Sequence, residues 1–326
     1  MIHAENSVLR KYAYHIERVD SELKELLNSQ VPLINEMGRH ILLGNGKRLR
    51  PLFFILSCEL CGYQGDDLYR LAAIFEGIHT ASLLHDDVLD KADIRRNKPS
   101  ANHVWGNHAA VLEGDFLHSR SSSIAVGSNN LRFLGTITSI TTQMTEGQIL
   151  ELMHTNDWNT SKEEYMEIIR AKTAVLISGA CACGAIIAGS SENWVQALEK
   201  FGLNMGISFQ LIDDLLDYLS SEEKFGKPVG KDLREGKITL PLIYTLADME
   251  KKKKAYLQDL FQSHEATEAD YLDLIDLVRN SGAVERIKDE ARSYVTEAAD
   301  CLGLLPDSSA KASLMELNSF IVERTY

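Results

Sequence analysis

Two aspartate clusters share one spacing along the chain, Asp86-Asp87-x-x-Asp90 and Asp213-Asp214-x-x-Asp217. Both stand in apolar segments of helical period, so the spacing places the three carboxylates of each cluster on one helix face. Like charges on one face repel each other and need a compensating cation. Hard carboxylate oxygens in this number fit Mg²⁺, which takes one or two carboxylates together with water and phosphate oxygens. The sequence therefore predicts a magnesium site at each cluster.

An exposed acidic stripe is the alternative interpretation of one such cluster. Two copies with identical spacing, both within apolar helices, argue against it, because a carboxylate on a packed helix needs a polar cavity or a cation. Gln210 precedes the second cluster by three residues and lies on the same face. A calcium-binding EF-hand is excluded, since its Asp-x-Asp-x-Asp-Gly loop is absent.

Basic residues accompany both clusters. They are Lys47, Arg48 and Arg50 beside Pro51, Arg95 and Arg96 after the first cluster, and Lys227, Lys231 and Lys237 after the second. Fixed cations beside the free backbone N–H groups of a helix start form a good anion site. Carboxylates that hold magnesium, with cations nearby, suit one or more diphosphates. Lys172 and Thr173 interrupt an apolar segment and can add a cation and a hydroxyl to such a site.

Helices must position these residues, because apolar residues recur at three-and-four spacing almost throughout the chain. Period-two alternation is scarce, and the six prolines lie mostly at segment edges. No repeat of fixed period and no linker rich in Gly, Ser or Pro is visible. The sequence predicts an all-α fold of about ten or more helices, in a single domain over residues 1–326.

The composition excludes one class of function and indicates a compartment. Lys and Arg total 34 against 47 Asp and Glu, a net charge of −13, which argues against nucleic-acid binding through phosphate neutralisation.

Five cysteines without a disulfide framework suggest a reducing compartment, and the apolar run around Cys58-x-x-Cys61 favours core residues over a zinc or redox site. No signal peptide and no run of about 18 apolar residues is visible. We therefore expect a cytoplasmic protein without a transmembrane segment.

Six motifs occur in one order: Gly46-Lys47-Arg48-Leu49-Arg50-Pro51, His85-Asp86-Asp87-Val88-Leu89-Asp90, Arg95-Arg96, Lys172-Thr173, Phe209-Gln210-Leu211-Ile212-Asp213-Asp214 and Gly230-Lys231-Asp232. This set resembles the trans-isoprenyl (polyprenyl) diphosphate synthases, most of all their long-chain octaprenyl and solanesyl type. The resemblance is specific between Lys47 and Leu242 and weaker towards both ends. It implies an isoprenoid synthase fold, with helices around a deep central cavity, and a homodimer.

The resemblance implies a role for each motif. The diphosphate of isopentenyl diphosphate would be bound by Lys47, Arg50, His79 and Arg96. The diphosphate of an allylic substrate would be held through Mg²⁺ by Asp86, Asp87 and Asp90, and contacted by Arg95. A further Mg²⁺ on the same diphosphate would be bound by Asp213, Asp214 and Asp217, with Lys227 and Lys231 closing over it. The allylic side, near the developing cation, would be lined by Lys172, Thr173 and Gln210.

The implied reaction uses about two or three Mg²⁺ ions for each active site. Its expected catalytic residues are Asp86, Asp213, Lys172, Thr173 and Gln210. The allylic C–O bond ionises, the alkene of isopentenyl diphosphate attacks, and a proton is lost, so the product is five carbons longer and can react again. A dry apolar cavity protects the carbocation from water. Transient contact with a membrane is expected when the product leaves.

Small residues upstream of the first cluster indicate a medium or long product. In the family that this chain resembles, an aromatic residue five or four positions before the first aspartate blocks the cavity, whereas here Ala81 and Ser82 stand there. The two-residue insertion of one short-chain group is also absent. We expect a farnesyl or geranylgeranyl primer and a product for quinone side chains. Deeper blocking candidates are Ile78, Phe75, Ile74, Met144 and Ile149.

Three other functions are considered. A short-chain farnesyl or geranylgeranyl diphosphate synthase would share every motif, and the unusual segment His118-Ser119-Arg120-Ser121 bears on chain length and partner contacts. A class I terpene cyclase would share one aspartate cluster but would not need Lys47, Arg50 and His79 for a second diphosphate. A non-catalytic subunit of a hetero-oligomeric synthase would normally lose carboxylates, whereas this chain keeps all six.

Overall fold

The computed structural model describes residues 8–42, 46–95, 98–219, 229–263 and 265–322. Sixteen α-helices lie within these ranges: α1 (Ala13–Leu26), α2 (Pro32–Ile41), α3 (Leu49–Leu60), α4 (Leu68–Leu89), α5 (Ala101–Trp105), α6 (Asn107–Gly127), α7 (Leu131–Met153), α8 (Lys162–Ile169), α9 (Val175–Ile187), α10 (Glu192–Leu219), α11 (Lys231–Arg234), α12 (Leu240–Ala247), α13 (Lys251–Gln262), α14 (Glu268–Arg279), α15 (Ala283–Cys301) and α16 (Ser309–Val322). A π-helix, Arg170–Ala174, joins α8 to α9, and a 3₁₀-helix, Leu302–Leu304, follows α15. Strands β1 (Ile94–Arg95) and β2 (Lys98–Pro99) pair antiparallel. The predicted all-α fold is confirmed.

Local sequence signals fix several helix starts. At the start of α8, Ser161 and Glu164 form a capping box, in which each side chain accepts a hydrogen bond from the backbone N–H of the other. Thr267 and Asp270 start α14 in the same way. Gly230, directly before α11, has a φ of +70°, and a Cβ there would lie 2.5 Å from the Ile275 side chain, so glycine is required.

The chain divides into two compact units, each assembled from separate stretches of sequence. The first unit comprises Met1–Thr142, Leu176–Gly202 and Cys301–Leu317, and the second comprises Gln143–Val175, Leu203–Asp300 and Asn318–Tyr326. The single domain over residues 1–326 and its deep central cavity stay predictions.

Aromatic rings form the centre of the first unit. The Phe54 ring packs against Phe75 and Phe133, with centroid distances of 5.2 and 6.2 Å, and Phe53 packs against Phe201 at 6.4 Å. Every one of these rings is buried. Because Phe75 belongs to α4, this packing anchors the helix that carries the first aspartate cluster.

The second unit contains two apolar clusters that meet the long helix α10. One cluster includes Leu211 and Leu215, and the other is built around Tyr218 and Leu242. All four side chains are buried. The apolar residues between the aspartates of the second cluster therefore pack, which holds those aspartates at fixed positions on the other face of the helix.

One helical stretch, Lys162–Ile187, is long and apolar enough to cross a membrane by length and composition. Its most apolar window has a mean hydropathy of 1.4, and 78% of that window is buried inside the protein. Packing in the protein core accounts for this apolar character, as it does for the core helices of many proteins.

None of the five cysteines, all of which the structure describes, forms a disulfide, and Cys58, Cys181 and Cys183 are buried. Burial raises the pKa of Cys58 and Cys183 well above the usual range and that of Cys181 to about 12. Thiols with such pKa values are poor nucleophiles and poor metal ligands. The interpretation of Cys58-x-x-Cys61 as core residues agrees with the burial of Cys58, while Cys61 is partly exposed.

Candidate active site

The first aspartate cluster lies at the C-terminal end of α4, and Asp90 is the residue that ends the helix. Asp87 is buried, and its carboxylate accepts a hydrogen bond from Arg95 Nε at 2.6 Å and forms an ion pair with Nη2 at 2.5 Å. The Asn102 side chain donates to the backbone carbonyl of Asp87 at 3.2 Å and so fixes the segment after the helix. Asp86 and Asp90 are half-buried. Arg95 thus holds Asp87, whereas Asp86 and Asp90 are more accessible to a ligand.

The basic segment at the start of α3 contains Lys47, Arg48 and Arg50, and it offers two of these cations, not three, to an anion. Arg48 is only 3% exposed, and its Nη1 donates to the buried Glu76 carboxylate at 2.8 Å. Gly46 allows this arrangement, because a Cβ there would lie 2.2 Å from Arg48 Nη1. Lys47 is exposed and Arg50 is half-buried. These two side chains remain candidates for diphosphate binding, and Arg48 has a structural position.

His79 and Ser82 lie on α4 ahead of the aspartates. His79 is half-buried, about two helical turns before Asp86. The Ser82 hydroxyl donates to the backbone carbonyl of His79 at 2.8 Å and is half-buried. Ala81 is 3% exposed. One face of α4 thus carries His79, Ser82 and Asp86 in succession.

The second aspartate cluster is held by specific hydrogen bonds. Asp214 is buried, and its two oxygens accept from the Tyr165 hydroxyl and from the Gln210 amide, each at 2.6 Å. The two oxygens of Asp217 accept from the backbone N–H groups of Lys231 and Asp232 at 3.1 and 2.9 Å. Asp217 therefore caps the start of α11. Asp213, the remaining member of the cluster, is half-buried.

The carboxyl groups of this region have raised pKa values. Burial raises the pKa of Asp214 to about 7, the two hydrogen bonds just described oppose this shift, and the charges of Asp213 and Asp217 add to it. Burial also raises the pKa of Asp217, against its two backbone hydrogen bonds. The pKa of Asp232 is raised well above its usual range, by burial and then by the neighbouring Asp217 and Asp214. Burial is the main cause of each shift, and a cation beside these groups would favour their charged forms.

A π-helix presents Lys172 and Thr173. Two glycines allow neighbouring helices to touch it: a Cβ at Gly147 would lie 2.6 Å from the backbone nitrogen of Lys172, and one at Gly206 would lie 2.7 Å from Ala174 Cα. Such single π-turns are often found at functional sites. The Lys172 ammonium forms an ion pair with the Glu151 carboxylate of α7. The irregular turn therefore directs Lys172 towards α7.

A cavity of about 140 Å³ within the second unit brings several predicted residues together. Its lining includes Lys172, Thr173, Gln210 and Asp214. It also includes Lys237, one of the basic residues that follow the second cluster, and three residues that received no role from sequence, Glu151, Tyr165 and Asp232. The cavity is smaller than the about 300–1,000 Å³ of pockets that enclose drug-sized ligands. It suits a compact polar group better than a long apolar chain.

The remaining predicted residues have other positions. Lys231 is partly exposed and pairs with Glu235 at 3.0 Å. Arg96 and Lys227, both predicted to bind diphosphate, lie outside the described residues. Among the residues that the structure does describe, no three carboxylate, histidine or cysteine side chains already converge as a metal-ligand set.

Sequence reasoning missed several residues of this site. Asp232 stands in the motif Gly230-Lys231-Asp232 but received no role. Glu151 interrupts the apolar run Ile149-Leu150-Glu151-Leu152-Met153, which is the same signal that drew attention to Lys172. Tyr165 has no comparable signal, because its hydrogen bond to Asp214 joins residues 49 positions apart.

The chain is similar to proteins of known family and structure. The polyprenyl synthetase family matches residues 31–278. An octaprenyl diphosphate synthase of Haemophilus influenzae is 36% identical over 311 residues, which are 95% of this chain and 94% of that protein. An all-trans-nonaprenyl-diphosphate synthase (geranyl-diphosphate specific) of Rhodobacter capsulatus is 33% identical over 97% of both chains. The crystal structure of a polyprenyl synthase from Caulobacter crescentus CB15, complexed with calcium and isoprenyl diphosphate, has a TM-score of 0.92 and 37% identity over 97% of both chains.

Proposed function

We propose a reaction for this chain from the premise that it belongs to the polyprenyl synthetase family. The chain condenses isopentenyl diphosphate head-to-tail with an allylic diphosphate, farnesyl or geranylgeranyl, and makes a medium- or long-chain all-trans polyprenyl diphosphate. The observation that carries the proposal is the pair of aspartate clusters, each on a helix with basic residues nearby. Relatives at 33–36% identity are octaprenyl and nonaprenyl diphosphate synthases, which supports the longer product.

The reaction requires stabilisation of the negative charge on the leaving diphosphate. It also requires that water be excluded from the carbocation at the allylic carbon. The bond between the allylic carbon and the diphosphate oxygen breaks, and the diphosphate leaves with the electron pair. The alkene of isopentenyl diphosphate then forms the new C–C bond, and a proton is lost to the released diphosphate. Bound Mg²⁺ supplies neutralisation of the leaving diphosphate. The hard-oxygen donors of each aspartate cluster support such an ion there.

The protein groups in the second unit match the charged end of this reaction. Lys172 brings a cation to the cavity, and Thr173 and Gln210 bring hydrogen-bonding groups. We propose that the allylic diphosphate lies beside them, with Asp213 holding an ion on it. The compact volume of the cavity supports a diphosphate as its occupant. Lys47, Arg50 and His79 would take the diphosphate of isopentenyl diphosphate.

The product length can be tested at two adjacent residues of α4. A Cβ at Gly77 would lie 2.5 Å from Ser121 Oγ of α6, so α4 and α6 are in close contact there. Ala81 is one turn further along the same stripe and is buried. Ser82 lies on a different face of α4. It is one turn before Asp86 and shares the face of that aspartate. Ser82 therefore has the better direction to meet a growing chain.

Replacing Ser82 with phenylalanine is expected to shorten the main product by at least one isoprene unit, with little change in thermal stability. The matched variant Ala81→Phe should also shorten the product, but it should cost about 1–3 kcal/mol of stability because the new ring must enter the contact with α6. Product chromatography and urea unfolding measure both effects. An unchanged product length in Ser82→Phe would show that this stripe does not face the chain.

The proposed function is tested by incubating the protein with labelled isopentenyl diphosphate, farnesyl diphosphate and Mg²⁺, followed by chromatography of the products. A series of chains that ends beyond the geranylgeranyl length supports the proposal. An end point at farnesyl or geranylgeranyl diphosphate would contradict the long product and leave the reaction class intact. Absence of any elongation would contradict the reaction itself.

A homodimer is the oligomer that we propose for the active protein. Support comes from α6, where Leu112 is 66% exposed and Val126 is 58% exposed. Contiguous exposed apolar surface marks interaction sites, and we propose that these two side chains belong to one such surface. Light scattering should give twice the chain mass of 36.4 kDa, and Leu112→Glu should shift the protein towards monomer, whereas Leu33→Glu on α2 should not. A monomeric wild-type protein at micromolar concentration would contradict the proposal.

A further inference from the structure

Glu151 of α7 contacts the lysine that we place beside the allylic diphosphate. Its carboxylate accepts from the Lys172 ammonium and, at 3.2 Å, from the Gln148 amide. The side chains of Glu151 and Lys172 are only 18% and 22% exposed, so water screens this ion pair less than it screens a surface pair. Both residues line the same cavity as Gln210 and Asp214.

The backbone fixes Glu151 opposite Lys172. Gly147 brings α7 into contact with the backbone nitrogen of Lys172, since a Cβ at Gly147 would lie 2.6 Å away. Glu151 is four residues further along α7 and shares the face of Gly147. The carboxylate is therefore held by a packed helix and faces the irregular turn that carries the lysine.

A lysine at this position needs such a partner. Its side chain has about 2 kcal/mol of rotamer entropy, and two other carboxyl groups, the buried Asp214 and the half-buried Asp232, line the same cavity as alternative partners. The other cavity lysine follows the same arrangement, because Lys237 Nζ donates to Glu235 at 2.7 Å. Glutamates thus pair with the lysines of the cavity, while Asp214 accepts from Tyr165 and Gln210.

We propose that Glu151 is a positioning residue, which holds the Lys172 ammonium towards the binding position of the allylic diphosphate and so sets the affinity for that substrate. The inference rests on the proposed function, because it takes Lys172 to bind that diphosphate. Glu151 itself does not touch the reacting atoms. Without the Glu151 carboxylate, Lys172 would still be present, but its ammonium would no longer be held towards the diphosphate position.

Steady-state kinetics of Glu151→Ala test the proposal. The KM for farnesyl diphosphate should rise by about fivefold to tenfold, the size expected for loss of a part-buried ion pair. The KM for isopentenyl diphosphate should stay within about twofold, since its site uses other residues. Glu151→Gln keeps an oxygen that accepts from the ammonium and should fall between wild type and Glu151→Ala. Glu167→Gln, an exposed glutamate of α8, serves as the matched control and should behave as wild type.

A double-mutant cycle with Lys172→Met separates positioning from general structural damage. If Glu151 acts through Lys172, adding Glu151→Ala to Lys172→Met should raise the farnesyl KM no further. An additive rise would overturn the proposal. A parallel rise of both substrate KM values together with a lower melting temperature would also overturn it. Tighter binding of farnesyl diphosphate by Glu151→Gln would overturn it as well, because the carboxylate would then be a competitor for the lysine.

Calorimetry with inorganic diphosphate and Mg²⁺ makes the test independent of turnover. Weaker diphosphate binding in Glu151→Ala than in wild type, by about the same factor as the farnesyl KM, supports the positioning role. Equal binding in the two proteins would overturn it. A wild-type protein that binds diphosphate and does not elongate would contradict the proposed function, and the calorimetric comparison would still decide the role of Glu151.

Discussion

Replacing Asp213 with asparagine is expected to lower kcat for elongation by about 10²- to 10³-fold. The substitution keeps the shape of the side chain and removes one anionic oxygen from the group that we propose to hold the ion on the leaving diphosphate. Asp86→Asn should have an effect of the same size at the other cluster. Both residues are half-buried, and neither substitution removes an apolar contact. The melting temperature without Mg²⁺ should therefore stay within a few degrees of wild type.

Rates of incorporation of labelled isopentenyl diphosphate measure this loss. Asp273→Asn, an exposed aspartate of α14, provides a control of the same chemistry and should retain the wild-type rate. Elongation at more than a tenth of the wild-type rate by both Asp213→Asn and Asp86→Asn would show that the clusters are not the catalytic centre. Loss of activity accompanied by unfolding would assign the aspartates to stability instead.

Arg48→Met is expected to lower the free energy of unfolding by about 3–5 kcal/mol, because it leaves a buried carboxylate without its cation. Arg48 Nη1 and Nε donate to Glu76 and Asp20, each at 2.8 Å, and Nη2 donates to the carbonyl of Leu42 at 2.6 Å. The side chains of Arg48 and Glu76 are 2% and 4% exposed. Removing one member of such a pair costs far more than breaking a surface ion pair.

Urea unfolding measures this cost. Arg292→Met removes an exposed arginine that pairs with Asp289 at 2.8 Å, and it should change stability by less than about 1 kcal/mol. The double variant Arg48→Met, Glu76→Gln should recover part of the loss, since the charge left behind is neutralised. A loss below about 1 kcal/mol for Arg48→Met would mean that Glu76 finds another partner or stays solvated.

The periodicity of the sequence was sufficient to predict the helices and the common helix face of each aspartate cluster. Both properties depend on residues within two turns of each other, and the structure places the clusters at the end of α4 and within α10. The inward direction of Arg48 could not be predicted in this way. It depends on Glu76, which lies 28 positions away on a different helix.

The irregular turn at Lys172 shows the same limit. Sequence identified the lysine by its apolar surroundings, but it did not predict the π-helix or the close approach of two other helices to it. Gly147 and Gly206 permit that approach, and a glycine within a helical pattern does not by itself reveal which backbone it meets. Tyr165 was missed because its contact with Asp214 arises only when distant segments pack. Glu151 interrupts an apolar run as Lys172 does, but its contact with Lys172 also arises only on packing.

The central claim is that the two aspartate clusters drive elongation through a divalent ion, and a titration with Mg²⁺ tests it most directly. Labelled isopentenyl diphosphate and farnesyl diphosphate would be incubated with protein stripped by EDTA, while free Mg²⁺ is raised stepwise and incorporation is measured. We expect no incorporation without the ion and a cooperative rise with its concentration, since more than one ion is required, and no rise in Asp86→Asn or Asp213→Asn over the same range. Elongation in excess EDTA, or a magnesium dependence that these substitutions leave unchanged, would contradict the account.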